Sequence, residues 1–350
     1  MLFHNKLIAW YLQNKRYLPW RETKNPYAIW LSEIILQQTR VAQGLPYFEA
    51  FLTTYPTVFD LADAKEDDIM RLWQGLGYYS RARNLHATAK KIAYERNGVF
   101  PDNYKDLLTL KGVGEYTAAA IASIAFDQIV PVVDGNVFRV LARIYGITSD
   151  ISASSTKKEF QLLASELISP NEPATFNQAI MDFGAIQCTP KSPLCHNCPF
   201  TNDCVAFQTN QIENLPVKLG KVKVKKRYLD FFIFLDNNKK TLIEQRTQKD
   251  IWQQLYQFPI VDRFVDNKID VHSILQDKYP SIKYENVTLL NTEHIIHILS
   301  HQKLHIHFWL INTSENIDKG TYWKDLNNFG FPIVIHNFIN SLNLKHLTKQ

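Results

Sequence analysis

The chain has 350 residues, of which 45% are hydrophobic and 21% are charged, and its formal net charge is +5. That length allows two domains with separate cores, and the composition is typical of a soluble globular protein. No apolar run approaches the length of a membrane span, and polar residues interrupt the N-terminal stretch too often for a signal peptide. We therefore expect a cytoplasmic protein whose charge permits an anionic partner.

The first part of the chain, up to about residue 205, has the apolar spacing of helices separated by short Gly, Pro and Asn stretches. The helical stretches are, in chain order, AIWLSEIILQQT, DDIMRLWQGLG, SRARNLHATAKKIAYERNG, TAAAIASIAF, GNVFRVLARIYG and KKEFQLLASELI. This spacing predicts an all-α domain over residues 1–214.

The pattern changes after the cysteines. Residues 215–227 hold six Lys or Arg and are predicted to be a basic interdomain linker. Beyond it, strand-like blocks (YLDFFIFLD, TLIEQR, IIHILSHQ and LHIHFWLI) accompany two helical ones, IDVHSILQDKY and FPIVIHNFINSLN. We therefore predict a separate α+β domain over residues 228–350.

All four cysteines lie within 17 residues, with the spacing Cys188-x6-Cys195-x2-Cys198-x5-Cys204. Four crowded thiols in an otherwise Cys-free chain indicate a metal site rather than a disulfide framework. Four thiolates can hold a [4Fe–4S] cluster or one tetrahedral Zn²⁺. Since structural zinc usually uses two close pairs and only one C-x-x-C pair is present, the spacing favours the cluster.

Two glycines, Gly112 and Gly114, flank Val113 just before a helical run of small residues. Such a loop leaves backbone N–H groups pointing outward at a helix start, which suits a phosphate. On its own this is a weak signal that many proteins share.

Glu33 and Asp134 are candidate catalytic carboxylates. Glu33 lies within an apolar helix, where burial should raise its pKa and keep it a proton donor. Asp134 precedes a helix, whose dipole should favour the ionised carboxylate. From position alone, Asp134 is more often only an N-cap, and Glu33 is as often a buried structural acid.

Seven motifs together resemble the endonuclease III superfamily of helix–hairpin–helix DNA glycosylases, and within it the MutY-type adenine DNA glycosylases. They are LPWR (18–21), SEIILQQT (32–39), GLGYYSRARNL (75–85), KGVGEYTAAAI (111–121), VVDGNVFRV (132–140), MDFGAIQC (181–188) and the cysteine array. The resemblance implies a six-helix lobe over about 22–128 and a cluster lobe from 1–21 plus 129–214, with a DNA-binding cleft between them.

The resemblance also implies the partners and the cofactor. The partner is double-stranded DNA that contains A:8-oxoguanine or A:G mispairs, bound by a monomeric, nucleoid-associated protein. The cofactor is a [4Fe–4S] cluster held by the four cysteines.

In such a family Glu33 protonates adenine at N7, and Asp134 stabilises the oxocarbenium ion with support from Asn136 and Tyr116. Relatives that also cut the strand carry a lysine at the position of Tyr116, whose amine forms a Schiff base. A phenol cannot do so, and we therefore expect a glycosylase without an efficient lyase step. Lys111 leaves weak adventitious lyase activity open, and Tyr116 could instead be a core aromatic.

Other residues carry binding roles by the same resemblance. The adenine pocket is assigned to Trp20, Arg21 and Gln178, and DNA contacts are assigned to Gln38, Tyr78, Arg81, Gly112, Gly114 and Lys191. Aromatics interleaved with cations suit nucleic acid, although core tyrosines and solvated arginines would give the same pattern. The cluster could brace the loop that carries Lys191 against a DNA phosphate, although an exposed loop lysine is more often only solvated.

The C-terminal half resembles, more diffusely, the Nudix-related domain that reads 8-oxoguanine, which assigns that role to Ser300 and His301 in LSHQ. A buried hydroxyl or imidazole can distinguish the lesion's protonated N7 from the acceptor of guanine. His305 and His307 alternate with apolar residues and are expected to point outward from a hairpin, without a metal.

Three other functions compete with adenine removal. A thymine glycosylase on this scaffold would attack a different mispair. A Nudix pyrophosphatase would need a glutamate-dense R-E-x-x-E-E helix, which the second half lacks. A catalytically dead DNA-binding protein would bind the lesion without releasing a base.

Overall fold

The computed structural model describes residues 2–220 and 223–342 of the chain. It divides into two compact units, one of Met1–Asp63 with Asn84–Gly220 and one of Ala64–Arg83 with Lys221–Gln350. The predicted limits of 1–214, 215–227 and 228–350 therefore stay a prediction, since the stretch 64–83 groups with the C-terminal residues. Lys221 and Val222 of the predicted linker lie outside the described residues.

The all-α prediction for the N-terminal region is confirmed. Its α-helices are α1 (Phe3–Asn14), α2 (Pro26–Leu36), α3 (Val41–Thr54), α4 (Val58–Asp63), α5 (Glu66–Leu72), α6 (Ser80–Lys90), α7 (Tyr104–Leu107), α8 (Glu115–Phe126), α9 (Gly135–Tyr145), α10 (Ser154–Leu167), α11 (Pro173–Asp182) and α12 (Val205–Gln208). Pro19–Arg21 and Cys195–Asn197 are 3₁₀ turns, and Lys91–Glu95 and Phe183–Gln187 are π-helical.

Helix α2 lies at the centre of the first unit. The Asn25 side chain caps it by accepting from Tyr27 N, and Pro26 occupies its first turn, where no N–H partner is needed. Every residue from Tyr27 to Ile35 is buried, because α2 packs against both α3 and α8. Apart from Ser32 and Glu33, the buried stretch of α2 is apolar or aromatic, as expected for a helix inside a domain.

Helices α8 and α9 bring two chain segments to α2. Ala118, Ala119, Ala120 and Ala122 in α8 are nearly inaccessible, and their small side chains allow the close approach of α2 and α11. Asp134 caps α9 by accepting from Asn136 N and Val137 N. Asp134 therefore lies close enough to α2 for its charge to act on Glu33.

The second unit contains a mixed sheet, and the predicted α+β class is confirmed. Its strands are β1 (Lys225–Asp236), β2 (Lys240–Thr241), β3 (Glu244–Gln245), β4 (Tyr256–Gln257), β5 (Ile260–Arg263), β6 (Asn286–Leu289), β7 (Ile295–Ile298), β8 (Gln302–Thr313) and β9 (Thr321–Tyr322), with helices α13 (Val271–Lys278) and α14 (Ile333–Ser341) and the 3₁₀ segment Trp323–Asn328. The main sheet has the order β5-β1-β8-β6, with β7 also paired to β8.

Strands β1 and β8 are the parallel core of this sheet, in the register Tyr228↔His305 and Phe232↔Trp309. Phe232 and Phe234 pack with Val271 and Leu275 of α13 in one hydrophobic cluster. The turn Leu299–His301 joins β7 to β8, closed by the bond from Leu299 N to Gln302 O. Ser300 and His301 are therefore displayed at the tip of a hairpin.

The expectation for the two alternating histidines is only half right. Leu304, Ile306 and Phe308 are fully buried, as the alternation predicts. The rings of His305 and His307 are not simply solvated, because His305 stacks on Tyr228 at 4.7 Å and His307 stacks on His294 at 3.9 Å. Cross-strand neighbours, which the sequence does not reveal, cover them.

Within the described residues, no helix is both long enough and apolar enough to cross a bilayer.

Candidate active site

A cavity of about 450 Å³ opens in the first unit beside α2 and the starts of α8 and α9. The residues predicted for catalysis, the adenine pocket and one DNA contact all line it: Glu33, Asp134, Tyr116, Asn136, Trp20, Arg21, Gln178 and Gln38. These residues come from five separate segments of the sequence. The fold therefore brings residues from separate sequence motifs together around one cavity.

Glu33 is the buried acid of this cavity. It is only 7% exposed, and burial raises its pKa to about 7, with a further increase from Asp134. Hydrogen bonding from Tyr116 and the charge of Arg21 act in the opposite direction. A carboxyl group with a pKa near 7 is a competent proton donor at neutral pH.

Asp134 is held by three donors. Its Oδ1 accepts from Asn136 N at 2.9 Å and Val137 N at 2.8 Å, and its Oδ2 accepts from Asn136 Nδ2 at 2.9 Å. The N–H groups at the helix start favour the ionised carboxylate, as expected, but burial outweighs these bonds and raises the pKa of Asp134 overall. The two carboxyl groups differ in their hydrogen-bond donors, because backbone N–H groups donate to Asp134 but not to Glu33.

Asn136 is itself positioned from two sides. Its Oδ1 accepts from Arg139 Nη2 at 2.9 Å, and the same guanidinium donates to the backbone oxygens of Gly184 and Cys188. A Cβ added at Gly184 would lie 2.6 Å from Asn136 Cβ. Arg139 thus connects the π-helical segment Phe183–Gln187 and the first cysteine to the residues around Asp134.

Tyr116 faces both carboxylates from the first turn of α8. Its hydroxyl donates to Met181 Sδ at 3.1 Å and also interacts with the Glu33 carboxyl. Burial, followed by the charges of Glu33 and Asp134, raises its pKa well above the usual phenol value. The hydroxyl therefore stays protonated at neutral pH, and it can donate a hydrogen bond but cannot act as an amine nucleophile.

The assigned adenine-pocket residues line the same cavity. Trp20 packs edge-on against Phe48 at 5.1 Å. Arg21 donates to both oxygens of Asp182, at 2.6 and 2.8 Å, and Asp182 is completely buried. The Gln178 side chain accepts from Tyr11 Oη at 2.7 Å. Arg21 and Gln178 are therefore each held by a residue that does not itself line the cavity.

The two-glycine loop follows α7 and leads into α8. Gly112 has φ +80°, and a Cβ there would lie 2.8 Å from Asn84 Cβ, which explains why this position needs glycine. Gly114 is the N-cap of α8, with open space around the position of a Cβ. Gln38, also in the left-handed region with φ +56°, follows the end of α2 at the mouth of the cavity.

A second cavity, of about 460 Å³, lies in the second unit. It brings Tyr78 together with Ser300 and His301, whose hydroxyl and imidazole were assigned to 8-oxoguanine. The Tyr78 and Ser300 hydroxyls hydrogen-bond to each other. Tyr78 remains 47% exposed, and its backbone lies in the left-handed region, with φ +46°.

Arg81 is not the exposed cation that the motif suggested. It is 7% exposed, and its Nη2 donates to the backbone oxygens of Leu76 and Gly77, each at 3.1 Å. The guanidinium lies 5.0 Å from the ring of Trp73. Arg81 therefore holds the Gly75–Tyr79 loop from within.

The four cysteine side chains line one small cavity near the end of α9. Arg143 binds this segment through Thr189 O at 2.7 Å, Pro190 O at 3.2 Å and Cys188 Sγ at 3.5 Å. Among residues 2–220 and 223–342, no three His, Cys, Asp or Glu side chains converge on a single-ion site. Four thiolates around one cavity could hold either a [4Fe–4S] cluster or a tetrahedral Zn²⁺.

Lys191 follows Cys188 in an exposed loop, where its backbone oxygen accepts from Thr189 Oγ1 at 2.8 Å. It does not line the first cavity, and its contact with a DNA phosphate stays a prediction.

Sequence reasoning missed three residues of the site: Asp182, Met181 and Tyr11. The first two lie within the MDFGAIQC motif and could have been noticed from it. Tyr11 carries no local signal, because its relation to Gln178 spans 167 positions.

Comparison with known proteins gives two family matches. Residues 31–166 match the model of the HhH-GPD superfamily base excision DNA repair proteins, and residues 230–341 match that of the NUDIX domain. The chain also resembles the structure of a thermostable thymine-DNA glycosylase, 29% identical, with a TM-score of 0.55 over 59% of this chain and 95% of that one. A trapped endonuclease III–DNA covalent intermediate, 22% identical with a TM-score of 0.52, shares the fold.

Relatives in sequence cover both halves. The adenine DNA glycosylase of Buchnera aphidicola subsp. Schizaphis graminum is 36% identical over 93% of this chain and 94% of its own length. The human adenine DNA glycosylase is 45% identical over 61% of this chain and 41% of its own length. The chain belongs to the adenine DNA glycosylase family.

Proposed function

We propose that the protein is an adenine DNA glycosylase of base excision repair that excises adenine mispaired with 8-oxoguanine or guanine and leaves the strand uncut. The observation that carries this proposal is the pair Glu33 and Asp134 in one cavity. Glu33 is buried with a pKa of about 7, and Asp134 accepts three hydrogen bonds. A proton donor beside a stabilising carboxylate is what cleavage of a glycosidic bond requires.

The reaction follows from these roles. Glu33 transfers its proton to N7 of the flipped adenine, and the bond between N9 and C1′ then breaks, leaving the electron pair on the base. Asp134, held by Asn136, stabilises the cationic sugar. A water molecule adds to C1′ and returns a proton to the Glu33 carboxylate, so that the acid is regenerated.

Tyr116 supports the absence of a lyase step. Its phenol lies beside both carboxylates, where a lysine amine would have attacked C1′. Trp20, Arg21 and Gln178 form the base pocket, and the loop of Gly112 and Gly114 holds a DNA phosphate.

The second cavity supports the choice of lesion. Tyr78 and Ser300 are joined there by a hydrogen bond, next to His301. Because 8-oxoguanine carries a proton on N7 where guanine has an acceptor, a hydroxyl pair that can accept is suited to distinguish them. Gln38 and Tyr78 fill the space that the flipped base leaves, and Lys191 contacts a phosphate.

The four cysteines are proposed as ligands of a [4Fe–4S] cluster. When bound, the cluster supplies four metal–thiolate bonds that fix the fold of residues 188–204. Arg143 and Arg139 of this chain hold the same segment through its backbone oxygens. The protein acts as a monomer on DNA in the cytoplasm, with 1–214 as glycosylase domain, 215–227 as linker and 228–350 as lesion reader.

A thymine glycosylase is the second candidate, because a thymine-DNA glycosylase is among the structures that the chain resembles. Base release should be measured on A:8-oxoguanine, A:G and T:G duplexes, with and without alkali. We expect free adenine and strand breaks that depend on alkali. Thymine release from T:G without adenine release would contradict the proposal.

The same assay should include Glu33→Gln, with the exposed Glu49→Gln as the matched control. Loss of a general acid should slow adenine release by about 10²–10⁴-fold while lesion binding persists. An unchanged rate in Glu33→Gln would overturn the mechanism.

A further inference from the structure

Helix α1 packs against α11, the helix that carries Gln178, and Tyr11 of α1 does not line the cavity. Tyr11 is 4% exposed, and its hydroxyl donates to Gln178 Oε1 at 2.7 Å. The ring is covered on one side by the Arg21 guanidinium, 5.7 Å from its centroid. Asp182 holds that guanidinium in turn. The Arg21–Asp182 pair thus holds the ring of Tyr11, whose hydroxyl donates to Gln178.

A side-chain amide has one face that accepts and one that donates. When the Tyr11 hydroxyl occupies Oε1 of Gln178, the Nε2 group is the part of the amide left for the cavity. Burial, more than any neighbouring charge, raises the pKa of the Tyr11 phenol, so that it keeps the proton it donates. In the described part of the chain this is the hydrogen bond that the Tyr11 hydroxyl makes.

We propose that Tyr11 is a positioning residue for base recognition: it fixes the Gln178 amide with its N–H groups toward the cavity, so that this position reads a hydrogen-bond acceptor of the flipped base. The inference rests on the proposed function, since it takes the cavity as the adenine pocket. On adenine such acceptors are ring nitrogens, whereas the exocyclic amino group is a donor that a fixed Nε2 rejects. A freely rotating amide would accept from that amino group equally well.

Three variants test the coupling: Tyr11→Phe, Gln178→Ala and the double variant, each compared by single-turnover release of adenine from an A:8-oxoguanine duplex. Tyr11→Phe and Gln178→Ala should each slow release by about 3- to 10-fold, the effect of one lost hydrogen bond. The double variant should be within about 2-fold of Gln178→Ala, because Tyr11 acts only through Gln178. Penalties that multiply would overturn the proposal.

Tyr27→Phe is the matched control. It is a buried tyrosine of the same unit whose hydroxyl donates to a backbone oxygen, Tyr55 O, and it does not line the cavity. Tyr27→Phe should change adenine release by less than about 2-fold once folding is confirmed by circular dichroism. An equal loss in Tyr27→Phe and Tyr11→Phe would show that the Tyr11 effect is only structural.

The direction of the amide is tested with purine, which lacks the 6-amino group, in place of adenine. Affinity for duplexes that carry 2′-fluoro analogues, which resist cleavage, should fall by the same factor with Gln178→Ala on either base. A penalty that disappears on purine would show that Gln178 accepts from the amino group, and the proposal would be wrong. Failure of the wild-type protein to release adenine would instead contradict the proposed function itself.

Discussion

The hydroxyl of Tyr78 and the hydroxyl of Ser300 form one hydrogen bond, although 222 positions separate them in the chain. Both belong to the second unit, because residues 64–83 group with the C-terminal part of the chain. A residue of the GLGYYSRARNL motif and a residue of the LSHQ turn therefore meet in one cavity.

Ser300→Ala should reduce discrimination between 8-oxoguanine and guanine. Loss of the hydroxyl removes one hydrogen bond to the lesion and frees Tyr78, and affinity for A:8-oxoguanine should fall by about 5- to 10-fold. Affinity for A:G should change by less than about 2-fold, since guanine lacks the N7 proton. Ser80→Ala, at the start of α6 in the same cavity lining, is the control for a lost serine hydroxyl. Equal losses on both mispairs would exclude a reading role for Ser300.

The rate of adenine release should depend on pH in a direction set by Glu33. Its pKa is raised to about 7 and only the protonated form donates, and therefore release should decline about tenfold per unit above pH 7. On the acid side, Asp134 must be ionised, and because burial raises its pKa the rate should decline at a higher pH than for an ordinary aspartate. Single-turnover rates from pH 5 to pH 9 check both limbs, where about 7 is the expected upper inflection. A flat profile above neutrality would rule out Glu33 as the proton donor.

Tyr116→Lys should add a lyase step. The new amine would lie beside Asp134, where the cationic sugar forms, and a lysine there can form a Schiff base. Borohydride should then trap a covalent protein–DNA complex with the variant and not with Tyr116→Phe. Trapping with the wild-type protein that is lost in Lys111→Gln would instead identify Lys111 as an adventitious nucleophile.

Gly112→Ala should weaken DNA binding more than Gly114→Ala does. The first change places a Cβ against Asn84 at a φ of +80°, whereas the second meets nothing within 4 Å. Backbone strain of about 1–3 kcal/mol should displace the loop and lower duplex affinity by about 5-fold or more. Fluorescence anisotropy at a fixed salt concentration compares the two variants. Equal affinities would argue against a phosphate contact at this loop.

Cys198→Ser should abolish metal binding by the cysteine segment. A [4Fe–4S] cluster predicts about four iron atoms per chain, with visible absorbance that is lost in the variant. His196→Gln, in the same 3₁₀ turn, removes a possible nitrogen ligand and should leave the iron content unchanged. About one zinc and no iron in the purified protein would contradict the cluster.

Periodicity was sufficient to predict both fold classes, and the family resemblance supplied eight of the residues that line the first cavity. The apolar run around Glu33 predicted its burial because α2 is buried on every side. Arg81 was misjudged, since a guanidinium that binds its own loop looks in sequence like one that faces DNA. Tyr11 and Asp182 act across 160 or more positions, and no local pattern records such a relation.

The position of Glu33 on a helix buried from Tyr27 to Ile35 has a consequence for how undamaged DNA is spared. An acid on such an element cannot move outward to test bases in the duplex without disrupting the interior of its unit. The nucleotide must therefore flip fully out of the duplex, and the energy needed is that of unpairing and unstacking the base. A well-paired adenine is therefore protected because leaving the DNA duplex costs energy before the base can contact Glu33.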